Sequence, residues 1–199
     1  SAESQCLEFR CRMLENPTRY MPVWGKLFSR SKIEKYHLRF DEELELAEDA
    51  DFTFRFMRYC NRICVSEAQL YHYSEDTVSA VRSWRPGKDL KYIRSMKHME
   101  QYIREECREI RTAFSCFVAM HLLLILVHDT FAAGNPASDK EKRKKMKELL
   151  ERELFSDAIR DIPLRKCRSV RMLPVLCFKL RLRFPAVWMV KMRIRQKAK

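Results

Sequence analysis

Val23-Trp24-Gly25-Lys26-Leu27-Phe28, Leu38-Arg39-Phe40-Asp41 and Glu48-Asp49-Ala50-Asp51-Phe52 stand in that order within residues 23–52, and Leu70-Tyr71-His72-Tyr73 follows. Glu48-Asp49 opens an apolar run through Phe52, Phe54, Phe56, Met57 and Tyr59, which predicts a helix buried on two sides and ending near Asn61. Unpaired backbone N–H groups and the macrodipole at such a helix start favour ionised carboxylates. Two readings of the acids follow. Glu48, Asp49 and Asp51 complement the helix dipole, or Asp49 is an ionised acid placed to accept a proton from a hydroxyl.

Outward from this stretch, the pattern alternates between short helices and extended pieces. Leu7, Cys11 and Leu14 predict a helix over residues 3–15, ended by Asn16-Pro17. Pro22 and Gly25 predict a structured turn leading into a helix at about 29–36, with a capping box from Ser31 to Glu34 or a cap from Ser29. Leu38 to Asp41 reads as extended, and Glu42 to Leu46 as an acidic loop. Val, Ile and Tyr predict one or two strands over 63–73. Arg85-Pro86-Gly87 is a breaker.

Beyond Gly87 the grammar is helical. Leu90, Ile93, Met96, Met99, Ile103, Cys107 and Ile110 predict one long amphipathic helix. Phe117 to Val127 is an apolar core of eleven residues containing His121, too short to span a bilayer and suited to the centre of a bundle. Ser138 with Glu141 has capping-box spacing at the start of a charged helix whose Met146, Leu149, Leu150 and Leu154 face inward. Leu173, Leu176, Leu180, Phe184 and Val187 form a final stripe interleaved with Lys and Arg and interrupted by Pro174 and Pro185. The expected fold class is α+β, mostly α. Residues 1–86 form a partial α/β segment with few short strands, and residues 87–199 a helical extension with a basic amphipathic tail from about 165.

Composition narrows the function classes. A hydrophobic share of 46% over 199 residues argues for a folded core rather than disorder. Three glycines and no G-x-G-x-x-G or P-loop motif argue against a complete nucleotide-binding α/β domain. Eight cysteines without C-x-x-C or zinc spacing read as reduced thiols on apolar faces, in a cytosolic setting.

The ordered elements carry a resemblance. The run Val23 to Phe28 with Ile33, then Leu38-Arg39-Phe40-Asp41, Glu48-Asp49-Ala50-Asp51-Phe52 and Leu70-Tyr71-His72-Tyr73 resembles the acceptor-side part of bacterial family-2 glycosyltransferases. Their recurrent order is W-x-K-L-Y/F, a helix, R-F-D, an E-D pair, an apolar helix and Y-x-Y. The match covers about residues 20–80. It implies a GT-A fold and inverting transfer of a sugar from a nucleotide-sugar donor to a glycan or lipid-linked acceptor, in surface polysaccharide or glycolipid assembly. It makes Asp49 the general base and Glu48 its supporting partner, and sets Trp24 and Lys26 on the acceptor side. Trp24 reads equally as core packing. His72 stands where some members hold a metal or phosphate, and otherwise reads as a plain strand histidine. Ser74 replaces the basic residue usual after Y-x-Y, with Arg82 and Arg85 nearby as substitutes.

A D-x-D motif that holds a divalent metal (Mg or Mn) against the diphosphate is also implied for the intact enzyme. None precedes Trp24. Asp49-Ala50-Asp51 fits the pattern literally but belongs to the E-D element. The chain therefore reads as an acceptor half without its donor half, expected to be inactive alone.

The formal charge is +13, and residues 162–199 hold twelve Lys or Arg and no acid. Three readings of this tail arise: an anionic membrane surface, nucleic acid, or a solvated helix on the bundle. No nucleic-acid motif supports the second. The first makes Arg181, Arg183, Trp188 and Lys191 membrane-binding, with Leu180, Phe184 and Val187 dipping into the interface, on a protein peripheral to the inner face of the cell membrane. The rival to the enzyme reading is a non-catalytic helical protein that docks on a membrane or partner through this tail.

Overall fold

The computed structural model describes residues 2–69, 71–72 and 84–197. It is built on one central helix, α6 (Arg108–Ile125), prolonged by a π-helical turn, Leu126–Thr130. The Phe131 N–H donates to the Leu126 carbonyl at 2.9 Å, the wider closure of that turn. α6 is apolar nearly all round, so neighbours must cover it on every side. Helices α1 (Ala2–Glu15), α5 (Lys88–Ile103), α8 (Glu153–Asp161) and α9 (Leu173–Lys179) do so. Phe117, Met120, Leu122 and Ile125 are almost wholly buried. Each such side chain contributes roughly 1.5–3 kcal/mol of burial energy. With its π turn the helix spans 23 residues and is long and apolar enough to cross a membrane, but 83% of its apolar window is buried within the protein. Burial, rather than the short apolar core read from the sequence, sets its place.

Short helices hang on this frame: α2 (Pro17–Tyr20), α3 (Arg30–Lys35), α4 (Glu48–Met57), α7 (Asp139–Glu151) and α10 (Arg183–Lys197). Residues on both sides of Pro86-Gly87 join one core, Met13, Leu14 and Phe54 with Met96 and Phe117. The capping box at Ser138 forms as expected: its hydroxyl accepts from the Glu141 N–H, and Glu141 accepts from the Ser138 N–H. The one expected at Ser31 does not. Ser29 is the N-cap, and Glu34 pairs with Arg30 at 2.7 Å instead.

Four further expectations need correction. The mostly helical class holds, but among the described residues no strand forms, and 63–69 with 71–72 run without regular structure. A strand is stabilised by its ladder partner. Here no such neighbour lies among the described residues, and Val65 is 81% exposed. The single helix expected from Leu90 to Ile110 is two helices, because Cys107 adopts an extended ψ of 163° as the N-cap of α6. At that corner Glu106 pairs with Arg10 at 2.5 Å and Arg58 at 2.8 Å. Leu90, in the first turn of α5, is not a core residue and lies half exposed. The charged helix likewise breaks at Arg152, so Leu154 belongs to α8.

Candidate active site

The loop before α3 and the start of α4 are joined by two side chains. Thr53 donates its hydroxyl to the Met21 carbonyl at 3.0 Å, and the Val23 N–H donates to Asp49 Oδ2 at 3.3 Å. Behind them Phe28 meets Phe52 and Phe56 edge-on, and Phe40 stacks on Phe52 with centroids 4.3 Å apart. The apolar face of α4 thus seats the Trp24-to-Phe28 turn and the Arg39-Phe40-Asp41 piece against one helix. Gly25 takes a φ of +67°, a left-handed turn that glycine adopts without strain.

Asp49 is half-buried on the first turn of α4. One oxygen is held by Val23, and Oδ1 has no hydrogen-bond partner among the described residues. Beside it Glu48 has its carboxyl pushed above the ordinary range by burial, with the Asp49 charge adding to the rise and a backbone hydrogen bond opposing it. Lys26 is pushed down by burial, opposed by the Asp49 charge, and its amine donates to the Pro22 carbonyl. Tyr92 of α5 is raised to about 12 by burial and by Glu48. Trp24 is 44% exposed and stacks on Tyr71, with centroids 5.5 Å and planes 18° apart. Asp49 therefore neighbours both Glu48 and Lys26, and Trp24 of the same turn stacks on Tyr71 from the 71–72 segment. Trp24 is not core packing. His72 is exposed and makes no hydrogen bond or ring contact among the described residues. Tyr73, Ser74 and Arg82 lie outside the described residues.

Asp51 does different work from Asp49. It is wholly buried and accepts from Arg55 Nε at 2.8 Å, Arg55 Nη2 at 2.5 Å and Tyr102 Oη at 2.7 Å. His98 Nε2 lies 3.7 Å from it, and His98 Nδ1 lies 3.1 Å from Asp41. These partners occupy Asp51, so Asp49-Ala50-Asp51 does not fit a metal-binding D-x-D. No group of three His, Cys, Asp or Glu side chains suited to a metal occurs among the described residues. The described residues do not fit a divalent metal.

One face of α5 holds this whole region, and no single motif announces it. Lys91 pairs with Glu45, Arg94 with Glu43 and His98 with Asp41, while Ser95 donates to the Leu46 carbonyl and Tyr102 to Asp51. The available signal was charge: an acid-rich segment from Asp41 to Glu48 faces a helix with cations at three-to-four-residue spacing.

The tail residues divide. Arg181, Arg183 and Trp188 are exposed. Lys191 instead pairs with Asp139 of α7 at 3.1 Å and sits over the Phe131 ring.

No protein-family model and no solved structure matches the chain. Two curated relatives do. The chain is 28% identical over 171 residues to the uncharacterized glycosyltransferase EpsJ of Bacillus subtilis, covering 81% of this chain and 48% of that protein. It is 25% identical over 116 residues to EpsH of the same strain, a protein that carries the glycosyltransferase name provisionally, covering 56% of this chain and 34% of that one. The chain spans about half the length of the first and a third of the second. At this level of identity its likeness is to glycosyltransferases.

Proposed function

We propose that the chain supplies the acceptor-side part of an inverting, family-2-like glycosyltransferase with a GT-A fold. The observation that carries this reading is the Asp49 carboxylate, anchored through Oδ2 to the Val23 N–H with Oδ1 open, next to the exposed Trp24–Tyr71 pair. The relatives' names support the same class. An aromatic face of this kind suits the C–H face of a sugar ring. An acceptor hydroxyl set against Oδ1 gives its proton to Asp49 as its oxygen bonds to the anomeric carbon. The bond from that carbon to the donor diphosphate breaks on the opposite side, and the diphosphate leaves with the electron pair. Glu48, raised by burial, and Lys26 shape the polarity around the base. A nucleotide-sugar and a divalent metal belong to the intact enzyme in this reading, and no residue described here is assigned to either. Polysaccharide or glycolipid assembly at the inner face of the cell membrane is the setting that accords with the basic tail.

Asp49→Asn in the full-length gene product tests this. Transfer from a panel of nucleotide-hexoses into isolated membranes should fall by roughly 100-fold or more, the low end for removing a general base. A variant with near-normal transfer rejects the assignment. The exposed tail also favours a second reading, a non-catalytic docking protein. A wild-type protein that binds membranes but transfers no sugar from any donor in the panel selects that one.

A further inference from the structure

α9 and α10 meet at a sharp corner. The Leu182 N–H donates to the Cys177 carbonyl at 2.7 Å, and the Arg181 N–H to the Phe178 carbonyl at 2.9 Å. This is the Schellman pattern, with Arg181 at the left-handed position, φ +61°. Glycine is the residue that takes this conformation without strain. An arginine here costs backbone energy and sets a cation at the tip of the corner.

The corner resets the helical phase. Ala186 and Val190 turn inward and are buried, while Phe184, Trp188 and Met192 recur every four residues on the outer side. Phe184 is 80% and Trp188 57% exposed, and Leu180 and Leu182 add half-exposed side chains at the turn. α10 is thus apolar on both faces, and only one is covered. Beneath the corner an open cleft of about 600 Å³ lies between α8 and the α9–α10 turn, lined by Arg160, Lys179, Arg181 and Arg183 with no carboxylate. Arg160 is neutralised by Asp157 and Asp161, and Lys179 caps the Ile159 and Arg160 carbonyls. Arg181 and Arg183 have no acidic partner among the described residues.

We propose that this corner docks on a lipid bilayer, with Leu180, Leu182, Phe184 and Trp188 in the interface and Arg181 and Arg183 on the phosphates of anionic glycerophospholipids. The inference extends the peripheral localisation proposed above and is independent of Asp49. Charge selects the occupant. Twelve cations without an acid follow residue 161, so a second copy of the chain would bring like charges together, whereas an anionic leaflet complements both ridge and rim. Tryptophan suits the headgroup level, and arginine reaches it by snorkelling.

Co-sedimentation of the full chain with vesicles tests the site. Phosphatidylcholine and phosphatidylglycerol in equal parts should bind the protein, pure phosphatidylcholine should not, and added salt should weaken the interaction. Arg181→Gly is the informative variant. It relieves the left-handed arginine, so its melting temperature should hold or rise, yet its vesicle affinity should fall about fivefold, from roughly 1 kcal/mol per basic residue. Phe184→Ser with Trp188→Ser, both exposed, should abolish binding with an unchanged circular dichroism spectrum. Asp49→Asn should bind as wild type does, which separates this inference from the catalytic one. No binding to the anionic vesicles at low salt, equal binding to neutral ones, or a ridge whose mutation only dissociates a dimer overturns the proposal.

Discussion

Removing the Asp51 side chain should unfold much of what Asp49 depends on. Asp51 sits on the same helical turn as Asp49 but is 0% exposed, against a half-buried Asp49. Its carboxylate takes two bonds from Arg55 and one from Tyr102, with His98 behind. Asp51→Ala leaves the Arg55 guanidinium and the Tyr102 hydroxyl without their partner. Breaking one side of a buried pair costs roughly 3–5 kcal/mol, a large part of the 5–15 kcal/mol expected for a domain. Asp49→Asn loses far less, because one long bond to Val23 is kept by the amide oxygen; about 0.5 kcal/mol is the scale for such sites. Urea denaturation followed by far-UV circular dichroism measures both. Asp51→Ala costing under about 1 kcal/mol, no more than an ordinary hydrogen bond, would refute the division of labour between the two aspartates.

Further outcomes follow from burial. His121 is enclosed in α6, donates its Nδ1–H to the Phe117 carbonyl at 2.9 Å, and is lowered to about 4 by burial. Its unfolded value lies near 6.5, so the stability it contributes is present above that pH and is lost as pH falls toward 4, up to about 3 kcal/mol. Wild type minus His121→Gln in urea titrations across that window should show the slope, and parallel curves contradict it. Among the thiols, Cys64 and Cys107 are exposed and should react with Ellman's reagent in the native protein. Cys116, raised to about 12 by burial, should react only after denaturation, together with buried Cys6 and Cys167. Rapid native labelling of Cys116 would rule out the packing of α6.

The parts of the fold visible in the sequence are those set locally. Ser138 and Glu141 cap their helix because the box is closed within four residues. Glu48-Asp49 open α4 because the acids and the aromatic face are contiguous. Long-range choices were hidden. No glycine or proline marks the α5–α6 corner, whose Glu106 is held by Arg10 from a helix 96 residues away. At the corner at Arg181 no glycine takes the left-handed position, and Pro185 follows only inside the first turn of α10, so a stripe drawn through Leu180, Phe184 and Val187 mixed inner and outer faces. The β-branched run from Ile63 had the composition of a strand but no neighbour among the described residues to pair with. At the site, the ordered motifs picked out Asp49, Glu48, Trp24 and Lys26, and the structure sets Asp49 beside both Glu48 and Lys26. His98, Tyr102 and Tyr92 lay beyond reach because their meaning depends on how α5 crosses the acidic segment. Lys191 looked like a free tail cation until Asp139 claimed it.

The central claim is that Asp49 removes a proton from a sugar acceptor. Its most direct test is the transfer rate of Asp49→Asn in the full-length protein, across a panel of nucleotide-hexoses, beside an unfolding curve for the same variant. A loss of roughly 100-fold or more with an unchanged curve is the predicted result. Transfer within a few-fold of wild type, on an equally stable protein, would contradict it.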